Sequence, residues 1–508
     1  MAEAAGTTDV DVLIVGAGPT GLVLAIELAR RGIALRLVDK SDKFFGGSRA
    51  DGIMPRTLEV LADIGIADTV LAEGNPGIEV RGYQGQTVVF EGRTTEPMPA
   101  RPDVPYPNIW FLPQFRTEEL LRERLAGLGH HVEQSCELRE LAQDDDGVTV
   151  ALAAAAGTRR VRARYVVGTD GGHSTVRNLL AIPFDGETDD AMRALFADVA
   201  LAGLDRDHGR VWMTGESGVA LMPLSGTDLF TLTARPPESG APTLEYLQEQ
   251  VTAASGNDAI RLRDVTWSTV WRANARLARR FTDGRVFLAG DAAHVCPPTG
   301  GQGMNTGISD ACNLAWKLAA VLGGADTALL DSYPAERVPT AQAALALAAK
   351  LLDKHQRGDE DAHHRGSEVH QLGLNYRGGP LTEDLRAEPG RLAAGDRAPD
   401  APCGDVRLFD LFRGTQWTVL AFGADTADLV AECTDLFGDL VHAYSVVPDG
   451  TPGEHTVVDT DGHARAAYQM APGTVVLVRP DGYLGLVGTT TADLRHYLSR
   501  VTAGVPVA

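Results

Sequence analysis

Apolar positions recur along the chain with two periods, and the changes between them mark its elements. Residues 10–15 form a short apolar run with strand character. After a glycine-rich stretch, Leu22, Ala25, Leu28 and Ala29 fall on one helical face, and residues 35–38 form a second apolar run. Strand, helix and strand in that order predict an α/β unit. Two further runs, at 165–167 and 286–288, lead into Gly168-Thr169-Asp170 and Gly290-Asp291, at the carboxyl ends where open parallel sheets present ligand groups. Beyond the second, Ile308, Ala311, Leu314, Ala315, Leu318 and Val321 share one face of a predicted helix. Amphipathic helices are also expected from 55–61, from Gln114 onward, and from 331 to an Ala/Leu-rich end near 352.

Residues 78–108 and 183–281 favour strands over long helices. Strands are predicted at 211–213, 219–224 and 229–233, with turns at 215–218 and 225–228. Trp267 and Trp271 alternate loosely with polar residues on the way back to the strand at 286. The Pro/Gly-rich stretch 391–402, RLAAGDRAPDAP, reads as a linker. The chain then starts afresh, with strands at 417–422, 442–447 and 474–478 and a hairpin turn at 479–483.

Composition narrows the partners. A length of 508 residues allows two or three domains. A formal charge of −22 disfavours nucleic acid and anionic membrane surfaces. No segment is long and apolar enough to span a bilayer and the first residues lack a basic leader, so a cytoplasmic protein without membrane contact is expected. Cys136, Cys296, Cys312, Cys403 and Cys433 are odd in number and lack Cys-x-x-Cys or zinc spacing, which fits a reducing compartment. Cys296 reads as a reactive or a packed thiol. His355, His363, His364 and His370 gather among acids without ligand spacing, so no metal is expected and a mobile polar cover is the reading. Asp144, Asp145 and Asp146 read as a solvated turn.

Candidate chemistry concentrates at three turns. Gly16, Gly18, Pro19, Thr20 and Gly21 follow a strand and open a helix, and Asp39, with Lys40 beside it, ends the next strand. This is the dinucleotide fingerprint: glycines for the turn, for pyrophosphate approach and for close packing, and a carboxylate for ribose hydroxyls. Asp39 would repel a 2′-phosphate, which favours the ADP half of FAD or NAD. In the second turn Asp291 is placed to grip a hydroxyl. Pro297, Pro298, Gly300, Gly301, Gln302 and Gly303 make a stiff, close-approach loop, and Asn305 or Thr306 is expected to cap the following helix. The amides near Gly303, Met304 and Asn305 would favour a ligand that becomes anionic on reduction, as a flavin does. The third turn runs from Gly168 through Asp170 to Arg177, and Thr169 within it is expected to have little effect.

The run of Gly290, Asp291, Ala292, His294, Pro298, Gly303, Asn305 and Gly307, joined to the other two turns, resembles the FAD-dependent aromatic hydroxylases. These are single-component flavoprotein monooxygenases, and the likeness is to their phenol-hydroxylase and polyketide-tailoring branch. The resemblance implies a Rossmann-type FAD-binding domain (1–77, 109–182 and 282–390), an interleaved β-sheet substrate domain (78–108 and 183–281) and a C-terminal thioredoxin-like domain (391–508). It places Arg49 near the flavin and its pyrophosphate, Gln114 and Arg116 on the ribityl chain, Asp170 near FAD and Arg177 near a visiting NADPH. Pro298 and Asp291 would position the ring and ribityl. Arg49 and Arg116 could instead form ordinary ion pairs. Trp212, Met222 and Phe230 are candidate substrate-lining residues or plain core, and Arg272 holds a substrate oxygen or a structural ion pair. The C-terminal domain lacks a redox cysteine pair, so a structural or homodimer-supporting role is expected.

The implied reaction consumes NADPH and dioxygen and hydroxylates a small aromatic substrate, phenolic or polycyclic, through a flavin C4a-hydroperoxide, with no side-chain nucleophile required. Baeyer-Villiger insertion on a ketone is the alternative. A flavin-binding protein without turnover and a plain NAD dehydrogenase are the remaining readings.

Overall fold

The computed structural model describes residues 9–93, 95–214, 217–357 and 366–503. Gly215 and Glu216 of the expected turn, residues 1–8, and His363 and His364 lie outside them. The first sheet has Val10–Val15 at its centre, parallel to Gly157–Gly168 on one side and Leu35–Val38 on the other; Val286–Leu288 and Val132–Glu133 extend it in parallel. The helices Pro19–Arg30 and Gln302–Leu322 bury their apolar faces together in its core. All six residues expected on the core face of the second helix are buried.

A second, eight-stranded sheet receives two separate segments. Glu79–Gln84 and Thr87–Arg93 complete one edge, with Glu79–Gln84 paired in parallel to His208–Thr214. The long strands Phe184–Ala202 and Arg261–Ala278 pair antiparallel along most of their length. The strands expected at 211–213, 219–224 and 229–233 lie within His208–Thr214, Ser217–Pro223 and Phe230–Ala234 or overlap them closely. The helix Leu244–Ser255, not expected in this strand-rich stretch, covers the outer face through Leu247, Val251 and Ala254.

The third sheet, in the order Glu383–Asp384, Leu484–Gly488, Val475–Val478, Trp417–Phe422, Val441–Val447 and Thr456–Val458, carries the strands expected near the carboxyl end. Its edge strand precedes residue 391, and the stretch 391–402 is no open linker. Ala393, Ala394, Ala398, Asp400 and Ala401 are buried, and Arg397 pairs with Glu59 in the helix Pro55–Asp63. Small side chains, rather than flexibility, account for that composition. One sheet face shares the main core, where Trp316 meets Trp417 edge-on at 5.3 Å.

Charge crosses the same contact. Glu336 of the helix Ser332–Arg357 accepts from Lys317 at 2.7 Å and from Arg479 at 2.6 and 2.9 Å, and Arg479 also donates to Asp481. Asp481 accepts from Trp316 and Asn313, and its carbonyl receives Arg56 at 2.6 Å. Lys317 and Arg479 are thus balanced by Glu336 and Asp481 in the buried interior. No helix among the described residues is long and apolar enough to cross a membrane.

Candidate active site

The fingerprint turn depends on two glycines for shape and on a third for space. Gly16 has φ +106°, and a Cβ there would overlap the Thr169 carbonyl; a Cβ on Gly21 would overlap the Gly16 carbonyl. A Cβ on Gly18 would meet nothing within 4 Å. The helix that starts at Pro19 has no side-chain cap on its amides. The result is an open cradle at a positive helix end, which fits a pyrophosphate. Asp39 braces this turn, its carboxylate accepting the Ala17 and Ser41 amides at 2.8 Å each, with Lys40 exposed beside it. Thr169, expected to matter little, donates its hydroxyl to the Gly16 carbonyl at 2.7 Å and fixes the turn.

Thr20 joins this cradle to the second one. Gly290 (φ +59°) comes so close that a Cβ would lie 2.5 Å from Thr20 Oγ1, and a Cβ on Gly307 would overlap the same hydroxyl and lie 3.1 Å from Gly290 Cα. Thr20 is therefore wedged between two glycines of the distant motif, which brings the amino ends of the two helices together. Gly307→Ala is expected to cost about 1–3 kcal/mol through overpacking and to weaken FAD retention. Adding Thr20→Ala should restore most of both losses, read as urea midpoint and bound flavin absorbance.

The helix Gln302–Leu322 starts from Gly301 (φ +62°), again without a side-chain cap. Asn305 and Thr306 are therefore inside the helix and do not cap it, because the left-handed glycine opens it earlier. Its first-turn amides, including those of Gly303 and Met304, are left for a ligand. Asn305 is buried and clamps the neighbouring strand, accepting the Met54 amide at 2.9 Å and donating to Gly52 and Gly301 carbonyls. Pro298 begins the short turn Pro298–Gly300, which is tied to the helix Ser332–Arg357 by Thr299 donating to the Ala348 carbonyl. Asp291 lies 4.0 Å from Arg49; both are exposed enough that the pair sets local charge and adds little stability.

Behind this loop lies a buried ionic cluster absent from the sequence reading. Asp310 accepts from His294 at 2.7 Å, from the Gly290 amide at 3.0 Å and from Arg337 at 2.7 Å. Arg337 also donates to Tyr376 and to the Thr306 carbonyl. Burial opposes a charge on His294, but Asp310 outweighs it and pushes the imidazole up to about 10. Burial likewise opposes a charge on Asp310, yet Arg337 and His294 hold its carboxyl below the usual range. The cluster anchors the loop from beneath and leaves its upper surface to the ligand. His294 belongs to the glycine-rich motif; nothing in the sequence links it to Arg337 through Asp310.

Gln114 opens the helix Gln114–Gly127. It accepts the Ala50 amide at 3.2 Å and donates to Glu118 at 2.8 Å. Burial, reinforced by Asp39, pushes the Glu118 carboxyl up to about 7. A raised folded value means that folding favours the protonated form, so this contribution falls as pH rises from about 4.5 through 7. Glu118→Gln is expected to raise stability at pH 8 by about 1–3 kcal/mol and to flatten that decline, measured as urea midpoints at pH 5 and pH 8. Arg116 pairs with Glu73 and Glu119, the ordinary alternative.

Asp170 accepts from Ser174 and from the Thr175 and Val176 amides, so its carboxylate serves the turn itself. Arg177 is buried over Phe184 and donates to the Ala292 and Gly172 carbonyls at 2.8 Å. Its terminal nitrogens are engaged with protein, and it joins the third motif to the second.

On the second sheet, strand alternation separates the candidates. Trp212 and Phe230 are core residues, packed with the helix Leu244–Ser255 on the outer face. Met222 is opposite Thr231 on the inner face, and the Thr231 hydroxyl reaches Ser48 of the flavin-side loop. Trp267 shares that face, paired with Asp198 and packed against Gly47. Arg272 is exposed on Arg261–Ala278. Cys296 is half-buried. Among the described residues no group of three or more His, Cys, Asp or Glu is arranged to hold a metal ion.

The family model for an FAD binding domain matches residues 9–348, and that for an HcaD C-terminal domain matches residues 400–503. The chain belongs to the FAD-dependent aromatic hydroxylase family, whose members are flavoprotein monooxygenases. A flavin-dependent monooxygenase of Mycobacteroides abscessus is 41% identical, with 96% of this chain and 99% of the relative aligned. The 6-methylpretetramide 4-monooxygenase of Streptomyces rimosus is 34% identical, covering 97% and 94%. The structure of aklavinone-11 hydroxylase with FAD and aklavinone matches with a TM-score of 0.82 at 29% identity, over 98% of this chain and 100% of that one.

Proposed function

We propose that the protein uses NADPH and dioxygen to hydroxylate a phenolic or polycyclic, polyketide-like aromatic substrate, by the route set out for the resembling family. The observation that carries this reading is the fused cradle: two uncapped helix ends locked together by Thr20 between Gly290 and Gly307, with open space at Gly18. FAD bound there would supply the redox and oxygen-transfer chemistry. The fingerprint amides and Asp39 would hold its ADP half, and Gln114, Arg49, Asp170, Asp291, Pro298, Gly301, Gly303, Met304 and Asn305 would surround the remainder. Amides of the Gln302–Leu322 helix would stabilise negative charge at the ring edge. The inner face of the second sheet, with Met222, Thr231 and Trp267, would carry the substrate and exclude water. Support for the substrate class comes from relatives named for 6-methylpretetramide and from a matching structure holding aklavinone.

The C-terminal domain is read as thioredoxin-like in architecture and structural in role. Burial pushes both of its thiols, Cys403 and Cys433, up to about 12, which suits packing rather than redox exchange. We read the protein as cytoplasmic and allow a homodimer through this domain. The test is direct. The purified protein should be yellow, oxidise NADPH faster when a suitable phenol or fused-ring aromatic is added, and give a product heavier by one oxygen atom. A colourless protein that gains no flavin spectrum with added FAD overturns the reading.

A further inference from the structure

Arg49 is exposed, with 62% of its side chain accessible, yet the backbone on either side of it is pinned. The Ala50 amide donates to Gln114 at 3.2 Å, within the FAD-binding layer. The Ser48 amide donates to Asp198 Oδ2 at 2.8 Å and the Ser48 hydroxyl to Asp198 Oδ1 at 2.5 Å, across 150 positions of sequence. Asp198 belongs to the long strand Phe184–Ala202 of the substrate sheet and is fully buried. Its cross-strand partner Trp267 grips the preceding residues: the Phe45 ring stands edge-on to it at 5.6 Å, and a Cβ on Gly47 would overlap its indole. Thr231, opposite Met222 on the same inner face, reaches the Ser48 hydroxyl at 3.2 Å. The inner face thus holds the one turn that carries Arg49 to Asp291.

We propose that Asp198 is a positioning residue: by fixing both polar groups of Ser48 it keeps Arg49 against Asp291 at the mouth of the flavin groove, and so couples the substrate sheet to the FAD site. Its cost and its purpose point the same way. Burial pushes the carboxyl up, and the Ser48 bonds offset this. A residue needed only for packing would be served by an apolar side chain, as Leu195, Ala197 and Val199 serve on the outer face. The inference rests on the FAD reading only for what lies opposite Arg49; the latch itself exists without FAD.

The experiment uses the full chain and trypsin, which cuts after Arg49 only when the surrounding backbone leaves its site. In FAD-free protein, Asp198→Ala and Ser48→Ala should accelerate cleavage after Arg49 by roughly tenfold or more, as expected for losing a charge-assisted hydrogen bond, while other tryptic sites keep their rates. In the same variants the dissociation constant for FAD, read by flavin fluorescence, should rise by a comparable factor. Ser48→Thr, which keeps the hydroxyl and the amide, should restore both. Unchanged cleavage after Arg49, or equal acceleration at every site, overturns the proposal. If Asp198→Ala does not fold, Ser48→Ala decides, because it removes one hydroxyl while the amide at position 48 still donates to Asp198. Failure of the parent to bind FAD would refute the functional reading alone, since the cleavage result still reports on the latch.

Discussion

Asp310→Ala should destabilise the protein by about 3–5 kcal/mol, because it leaves the His294 imidazolium and the Arg337 guanidinium together in the interior with no carboxylate. The Gly290 amide loses its acceptor at the same time, so the loop over which the flavin ring would lie is released. The pH response provides a sharper check. In the parent, His294 is held up to about 10, above its unfolded value near 6.5. Its stabilising contribution is therefore complete below about pH 6.5 and is lost as pH rises through 10. Without Asp310, burial beside Arg337 favours neutral imidazole, so the decline between pH 6.5 and 10 should disappear, and any slope left from His294 should lie below about pH 6.5 with the opposite sign. Urea midpoints between pH 6 and 10 measure this, and parallel curves for parent and variant would refute the account. Asp310→Asn should lose less than alanine, since it keeps an acceptor for the Gly290 amide.

Glu336→Ala should be comparably costly, about 3–5 kcal/mol. Lys317 and Arg479 would then face each other with only Asp481 as a counter-charge. Burial already pushes the Lys317 ammonium down to about 8, so the variant should shed that proton still more readily. The expected result is a lowered urea midpoint that recovers partly when Lys317→Met is added, because the second change removes the cation left unpaired. If the double variant is no better than the single one, the cost lies in packing and the electrostatic explanation fails. The affected contact joins the helices Gln302–Leu322 and Ser332–Arg357 to the third sheet, so loosening should reach the flavin loop through the first of them.

The local elements were legible because local pattern specifies them. Val10–Val15, Leu35–Val38, Val286–Leu288 and Trp417–Phe422 fall where apolar runs end in glycine or turn residues. The three motifs were recognisable for the same reason, since each is a contiguous strand and turn. What escaped depends on pairings far apart in sequence. Ser48 and Asp198 meet across 150 positions, and nothing in either stretch names the other. Trp212 and Phe230 read from sequence as lining or core, and the core reading holds; alternation gives a strand two faces without saying which one a helix will cover. Asn305 looked like a cap because its residue type favours that position, but Gly301 supplies the left-handed start and frees Asn305 to hold Gly52 and Met54. The stretch 391–402 looked like a linker because alanine, glycine and proline are shared by flexible segments and by tightly packed ones.

The parallel pairing of Glu79–Gln84 with His208–Thr214 bears on how this molecule can be recombined. The second sheet is finished by a piece of chain laid down more than a hundred residues before the strand beside it. A chimera with one crossover between residues 95 and 183 would join a two-strand edge hairpin from one parent to the other six strands of the sheet from another, with cross-strand neighbours that were never selected together. Exchange of aromatic specificity between relatives should accordingly succeed when residues 79–93 and 184–278 travel as a set, and yield misfolded hybrids when only the later segment is moved.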